Sequence, residues 1–479
     1  MFIKYIKKYL YDKFHILEHK STLRKEVLAG VTNYFTLIYL VMLVPEVLMN
    51  VFPGAISKSG SIVGDFVLEN GLTANEMFIS LTAAAFICSG FSSIIMGYLT
   101  NLPFVQGPSL AIGTFITYTV CIGFGYTYNQ ALAIVFISGI VFFILAMFGM
   151  EKKIHKAIPK NIKYAVICGI GLFISYQGLI KAHIIDKSSF NTNLFDFANL
   201  SSKDTKTAIL ALIGVILITI LHKKHIYGSI FIGKIICIIL AFPLGLVVLK
   251  GVDFFTPINL KDVFFTLDFT GIIDFSNVNV FFKTLMTTLI VLFSICIMDI
   301  FETMAMLIVA DNFVEKSQEN FANKNIPQIL EIDAITTSAG VTIGNVSIST
   351  YVESTAGIVE GGRTGVTALV TGVLFLMSSF LSPLVALVPS AATATTLIIA
   401  GILMMNMMKF IDFEDIDEAV PAFFTMILMP LTNSILVGIS FGIISYVAIH
   451  IFLGKGSKVN KILYVISVLF LICLIFLPR

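Results

Sequence analysis

TIGNVSISTYVES, residues 342–354, decides how this chain is read. Val346 and Ile348 alternate with Asn345, Ser347 and Ser349 ahead of Tyr351. A period of two belongs to extended backbone, not to a helix. A short extended piece that turns into a helix fits the stretch, with Glu353 near the start of that helix. LPFVQGPSLAIGTF (102–115), with Pro and Gly in its first half, reads the same way. Around both the chain is strongly apolar: 57% is AVILMFWYC and 13% is charged, against roughly 25% charged in soluble domains. Many of its runs reach the roughly 20 residues that cross a bilayer as a helix. The chain is therefore read as an all-α polytopic membrane protein, interrupted at two places by extended backbone.

The apolar pattern predicts spans near 27–44, 77–99, 104–122, 130–149, 161–180, 207–221 and 228–249. A second set follows near 282–309, 327–343, 346–361, 364–387, 391–408, 419–432 and 434–453, and 462–478 is a further apolar run, either a last span or an interfacial helix. Seven lysines and arginines precede the first span, from Lys4 to Lys25, and no signal-peptide core stands before them. The positive-inside rule then puts the N-terminus in the cytoplasm. The Lys-rich 151–163, 222–225 and 454–458 fall on the same side. The loop 50–76, with Lys58 against Asp65, Glu69 and Glu76, falls outside, as do 181–206 and 251–281. The acidic 410–418 falls inside, which orientation tolerates because acids contribute little to it. The net charge of +2 gives no sign of a nucleic-acid partner. The six cysteines lie in apolar runs without a CxxC pair, and the seven histidines lie in the N-terminal segment or near span ends. No metal set, nucleophile–base pair or phosphate loop appears, which argues against an enzyme.

Two sets of seven spans raise an internal repeat. Pro159 is followed twelve residues on by Gly171, and Pro389 twelve residues on by Gly401. SIFIG (229–233) matches SILVG (434–438). An odd number of spans per copy inserts the second copy upside down, the inverted repeat of many secondary transporters. The third and tenth spans hold corresponding places, and interrupted segments at matched positions point to a transport site.

Four acids lie within the predicted spans: Asp299, Glu302, Asp333 and Glu353. Each would cost on the order of 3 kcal/mol facing lipid, so they face the bundle interior or a wet cavity. Asp299, Glu302 and Thr303 share one face of the eighth span. Two neighbouring carboxylates do not readily both ionise, which suits proton coupling. Asp333 fits a supporting role. Glu353, close to the N-terminus of a helix, sits where a negative charge is favoured. A carboxylate only accepts, so its ligand carries paired N–H donors, and a neighbouring N–H such as that of Val352 can donate to a carbonyl or ring nitrogen. A planar heterocycle fits this mixture and a simple anion does not. Arg363 reads as a cytoplasmic-face anchor and Glu360 as a solvated residue at a span end.

LRKEVLAGVTNYFTLIYLV, AIPKNIKYAVICGIGLFI, IMDIFET, TYVESTAGIVEGGRTGVTALVTG and AVPAFFTMILMPLT together resemble the AzgA-like purine permeases, a branch of the nucleobase–proton symporters with the UraA-type fold. The resemblance runs from about residue 22 to 453. It implies about fourteen spans as two inverted sevens. After a cytoplasmic segment (1–26), spans 1–4 (27–149) and 8–11 (282–388) would form a core domain, spans 5–7 (161–250) and 12–14 (391–453) a gate domain, and 454–479 a C-terminal segment. Asp299 falls on the family's substrate-binding acid and Glu302 on the second acid of its eighth-span motif. Glu353 falls on the tenth-span glutamate that binds the base. Val352, Tyr351 and Ser354 beside it, and Gly113, complete the expected substrate group. Glu302 and Asp299 are expected to couple protons, with Asp333 and Thr303 in support. The family's usual APGMGLNAFF is here GPSLAIGTFI, so Gly113 replaces a substrate-contacting Asn. The function implied is proton-coupled uptake of hypoxanthine, guanine or adenine across the plasma or inner membrane by alternating access, an elevator-like shift of core against gate. No cofactor is expected. The partners are the purine base, protons and lipid, with a homodimer as an allowed assembly. A uracil or xanthine carrier, or an anion exchanger or channel of the same fold, is the alternative.

Overall fold

Apolar helices make up most of the computed structural model, which describes residues 2–55, 66–68, 71–185, 202–224, 226, 229–246, 260–273, 277–313, 326–385 and 388–476. Eight of its helices are long and apolar enough to cross a membrane, and four shorter apolar helices accompany them. Lys58, Asp65 and Glu69, which bore on the placement of the loop 50–76, lie outside the described residues, as do His225, most of the loop 181–206 and part of the loop 251–281.

Every expected span has a counterpart. After α1 (Phe2–Lys13) come α2 (Leu23–Leu48), α3 (Ala74–Thr100), and a broken third segment of β1 (Gln106–Pro108), α4 (Leu110–Thr114) and a π-helix (Phe115–Gly123). Then follow α5 (Tyr128–Met147), the short α6 (Met150–Ala157), α7 (Lys160–Lys181), α8 (Lys203–Lys223) and α9 (Ser229–Ala241). The second set is α10 (Val278–Phe313), α11 (Ile326–Thr342), a broken tenth segment of β2 (Ile348–Thr350) and α12 (Thr355–Val359), then α13 (Gly365–Ser378), α14 (Ser382–Val385), α15 (Ser390–Met404), α16 (Ile416–Thr432) and α17 (Ile435–Phe452). The final run is α18 (Lys461–Phe476), whose Phe470 meets Phe293 of α10 edge to face at 5.5 Å.

Some boundaries differ from the sequence expectation. The seventh span stops as a helix at Ala241, because Pro243 disfavours helical backbone at Phe242. The Lys-rich 151–163 contains the helix α6, and the N-terminal segment contains α1. Both are helices outside the spans, and their lysines hid them from an apolar-run reading.

The packing repeats itself between the halves. α3 packs on α13, and its counterpart α11 packs on α5, the counterpart of α13. α7 crosses α15 at Gly171 and Gly401: a Cβ on Gly171 would lie 2.7 Å from the Gly401 carbonyl, and one on Gly401 would strike the Gly171 carbonyl. These are the two glycines that follow Pro159 and Pro389 at equal spacing. Equivalent positions that touch each other reciprocally are what a two-fold relation produces at its axis. The two broken segments meet in the same way, β1 pairing antiparallel with β2.

Candidate functional site

The strand pair is the frame of the site. Gln106, Gly107 and Pro108 stand opposite Thr350, Ser349 and Ile348. Ser109 N–H donates to Ser347 O at 2.9 Å and Tyr351 N–H to Val105 O at 3.0 Å, which extends the pairing at both ends. Extended backbone at membrane depth survives only where its edges are satisfied by protein. Two hydroxyls do this. Ser93 on α3 accepts from Gln106 N–H and donates to Gln106 O, both at 3.0 Å. Thr337 on α11 donates to Ile348 O at 2.8 Å. Gly107 lets the Tyr351 ring approach the strand closely, since a Cβ there would come 2.5 Å from that ring.

Alternation along β2 then sorts its side chains. Ser347 and Ser349 face α10, where Asp299 and Glu302 share a face. Ser347 Oγ reaches both Asp299 oxygens, at 2.8 and 3.0 Å. Ser349 Oγ donates to Glu302 Oε2 at 2.6 Å. Ser109 does two things: its Oγ accepts from Ile112 N–H at 3.0 Å, capping α4, and donates to Glu302 Oε1 at 2.8 Å. Glu302 thus ties both broken segments to α10. Thr350, on the opposite parity, donates to Asp333 Oδ1 of α11 at 3.1 Å. Gln106 Nε2 donates to the same oxygen at 2.6 Å, and Thr303 donates to Oδ2.

Asp299, Glu302 and Asp333 are therefore each held by side-chain donors from other residues. Glu353 takes none among the described residues. It occupies the 3-10 turn Val352–Ser354 that leads into α12. Among the described residues its hydrogen-bond donor is its own backbone N–H. It lies within electrostatic range of Glu302, Tyr351 and Tyr39.

The other expected residues are placed differently from one another. Tyr351 Oη donates to Pro108 O at 3.0 Å, and Ser354 Oγ accepts from Val105 N–H at 3.0 Å, so both hydroxyls serve the strand frame. Val352 opens the turn half-buried. A side chain at Gly113 would meet Val44 of α2 at 3.3 Å and Val346 at 3.8 Å, both apolar. Arg363 folds back on the end of α12, donating to Ile358 O and, at 2.8 Å, to Gly362 O. Sequence reasoning passed over Ser109, Ser347, Ser349, Thr350, Gln106 and Tyr39. The first could have been found as an N-cap ahead of an apolar run, and the next three from the period-two pattern itself. Gln106 and Tyr39 carry no such signal.

A permease-family model, Xan_ur_permease, matches residues 24–441. The guanine/hypoxanthine permease PbuO of Bacillus subtilis is 30% identical over 470 residues, covering 97% of this chain and 100% of PbuO. The adenine permease AdeQ of Escherichia coli is 29% identical over 457 residues, covering 95% of this chain and 94% of AdeQ. The solved transmembrane domain of the cyanobacterial bicarbonate transporter BicA aligns with a TM-score of 0.58 over 88% of this chain and 97% of that domain, at 14% identity, a likeness of fold. With the family match running through both halves of the bundle and both broken segments, the chain belongs to this permease family, whose members are membrane transporters and not enzymes.

Proposed function

We propose that this protein carries purine bases into the cell together with protons, taking hypoxanthine and guanine ahead of adenine. The observation that carries the reading is the uncommitted carboxylate of Glu353 beside three acids already held by protein donors. A carboxylate that takes no donor from a neighbouring side chain keeps acceptor capacity for a ligand with N–H donors. Guanine offers N1–H and its 2-amino group to one carboxylate bidentately, and hypoxanthine offers N1–H. Adenine lacks N1–H. The names of PbuO and AdeQ divide between these bases, so the donor pattern makes the choice. An anion, as in the transporter BicA, would meet the repulsion of Glu353. A uracil or xanthine carrier is the nearest rival.

On this reading Asp299 contacts the base by sharing it with Ser347, since a carboxylate accepts more than one donor. Glu302 carries the proton: gaining one rearranges the Ser109 and Ser349 hydroxyls that tie both broken segments to α10. Spans 1–4 and 8–11 move as a core against a gate of spans 5–7 and 12–14, with the N-terminus in the cytoplasm.

Uptake of labelled hypoxanthine into proteoliposomes under an imposed pH gradient tests this, with guanine, adenine, xanthine, uracil and 1-methylguanine as competitors. Guanine should compete strongly, and uracil and 1-methylguanine weakly. Strong competition by uracil, or equal competition by 1-methylguanine, would show the site to be built otherwise. Glu302→Gln should keep base exchange and lose pH-driven accumulation, and unchanged accumulation would reject the coupling role.

A further inference from the structure

α2 brings a side chain to the site that the carboxylate network leaves unused. Tyr39 is 1% exposed, and its hydroxyl has no hydrogen-bond partner among the described residues. Buried hydroxyls are nearly always paired, because an unpaired one forfeits its bonds to water. α2 packs against the turn Val352–Ser354 that carries Glu353, and the nearby hydroxyl of Tyr351 is already committed to Pro108 O. Leu43, one helical turn on from Tyr39, lines a cavity of about 30 Å³ with Leu110, Thr114 and Phe173. Two polar groups with spare capacity, the acceptor Glu353 and the donor–acceptor Tyr39, are thus carried by elements that pack on each other, α2 and the tenth segment.

We infer that Tyr39 is a specificity-determining residue whose hydroxyl donates to the 6-oxygen of the bound base while Glu353 takes the N–H groups beside it. The assignment rests on the proposed purine site. The chemistry is adjacent on the ligand: in guanine and hypoxanthine the 6-oxygen neighbours N1–H, so a carboxylate on N1–H has the 6-oxygen at its side. Tyr39 completes what a lone carboxylate leaves undone, since it distinguishes an oxygen from other substituents at that carbon. A hydroxyl left unpaired in the empty site and paired in the filled one is also a source of selectivity, because a ligand that cannot accept leaves it buried and unmatched.

The test is Tyr39→Phe, read by binding of hypoxanthine and of 6-mercaptopurine. The latter keeps N1–H in its thione form but replaces the 6-oxygen with sulfur, a poor acceptor. The variant should weaken hypoxanthine binding about tenfold and leave 6-mercaptopurine nearly unchanged, the size expected when a buried acceptor loses its donor. The empty variant should melt no lower than the wild type, because no described hydrogen bond is lost. An unchanged ratio of the two affinities would overturn the assignment, and so would a lowered melting point of the empty protein, which would mark a structural hydroxyl. A wild type that binds neither base overturns the proposed function as well, whereas a wild type that binds both with an indifferent Tyr39→Phe overturns only the role of Tyr39.

Discussion

Glu353 differs from Asp299, Glu302 and Asp333 in who satisfies it. Those three are surrounded by serine, threonine and glutamine donors from the strand pair and from α10 itself. Each is therefore part of the frame as well as of any chemistry. Glu353 stands in the turn after the strand with no side-chain donor from another described residue. Replacing it by glutamine keeps the shape but sets an amide N–H against the N–H of the base. Glu353→Gln should therefore lower specific uptake about 100-fold or more, with the protein inserted and its melting point in detergent unchanged. Transport at the wild-type level by a well-expressed variant would refute the role. The four acids themselves are visible as charges inside apolar runs. Their division into three engaged and one open is not, because hydroxyl and amide donors 17 to 227 residues away in sequence decide it.

At the level of elements, the broken segments follow from local chemistry, and their company does not. Pro108, the cap at Ser109 and the alternation around Ile348 lead to a strand that becomes a helix. The 3-10 turn before α12 and the π-helix after α4 carry no comparable signature. Neither does the buried Glu26 in the first turn of α2. Its carboxylate accepts from Arg363 N–H at 3.0 Å, Thr364 N–H at 3.2 Å and Thr367 Oγ1 at 2.6 Å, and so caps α13 from a helix more than 300 residues away. In sequence Glu26 is one charge in a basic run. Glu26→Ala leaves these donors buried and unpaired and should destabilise the protein by about 2–4 kcal/mol. Melting in detergent, with binding measured on the folded fraction, checks this: stability should fall and base affinity should hold. An undiminished melting point would mean that α13 is capped from elsewhere.

At the scale of the whole molecule, one ion pair among the described residues joins the two proposed bodies. Lys181 at the end of α7 stands 2.5 Å from Glu46 near the end of α2, out of hydrogen-bond alignment, with the side chains 23% and 16% exposed. If α2 travels with the core and α7 stays with the gate, this contact must open in each cycle. Neutralising either partner strands a mostly buried charge, whereas neutralising both removes the problem. Glu46→Gln and Lys181→Met should each lower stability, and the double variant should recover a coupling of about 1 kcal/mol or more. A double-variant melting cycle with strictly additive effects would show that the pair is not energetically joined.

Composition and periodicity were enough to establish a polytopic helical bundle, two extended interruptions at matched places, and acids that could not face lipid. These follow from terms that act along the chain: the length of apolar runs, the period of alternation, and the cost of a charge in hydrocarbon. The repeat was legible as well, because Gly171 and Gly401 stand at equal spacing from their prolines. Which groups meet depended on the folded chain. Ser93 and Thr337 close the strand edges, Glu26 caps α13, Glu353 is left without a side-chain donor among the described residues, and α2 with Tyr39 packs on the turn that carries it. Hydrogen-bond satisfaction in a bilayer is a balance over neighbours in space, and those neighbours come from spans far apart in the sequence.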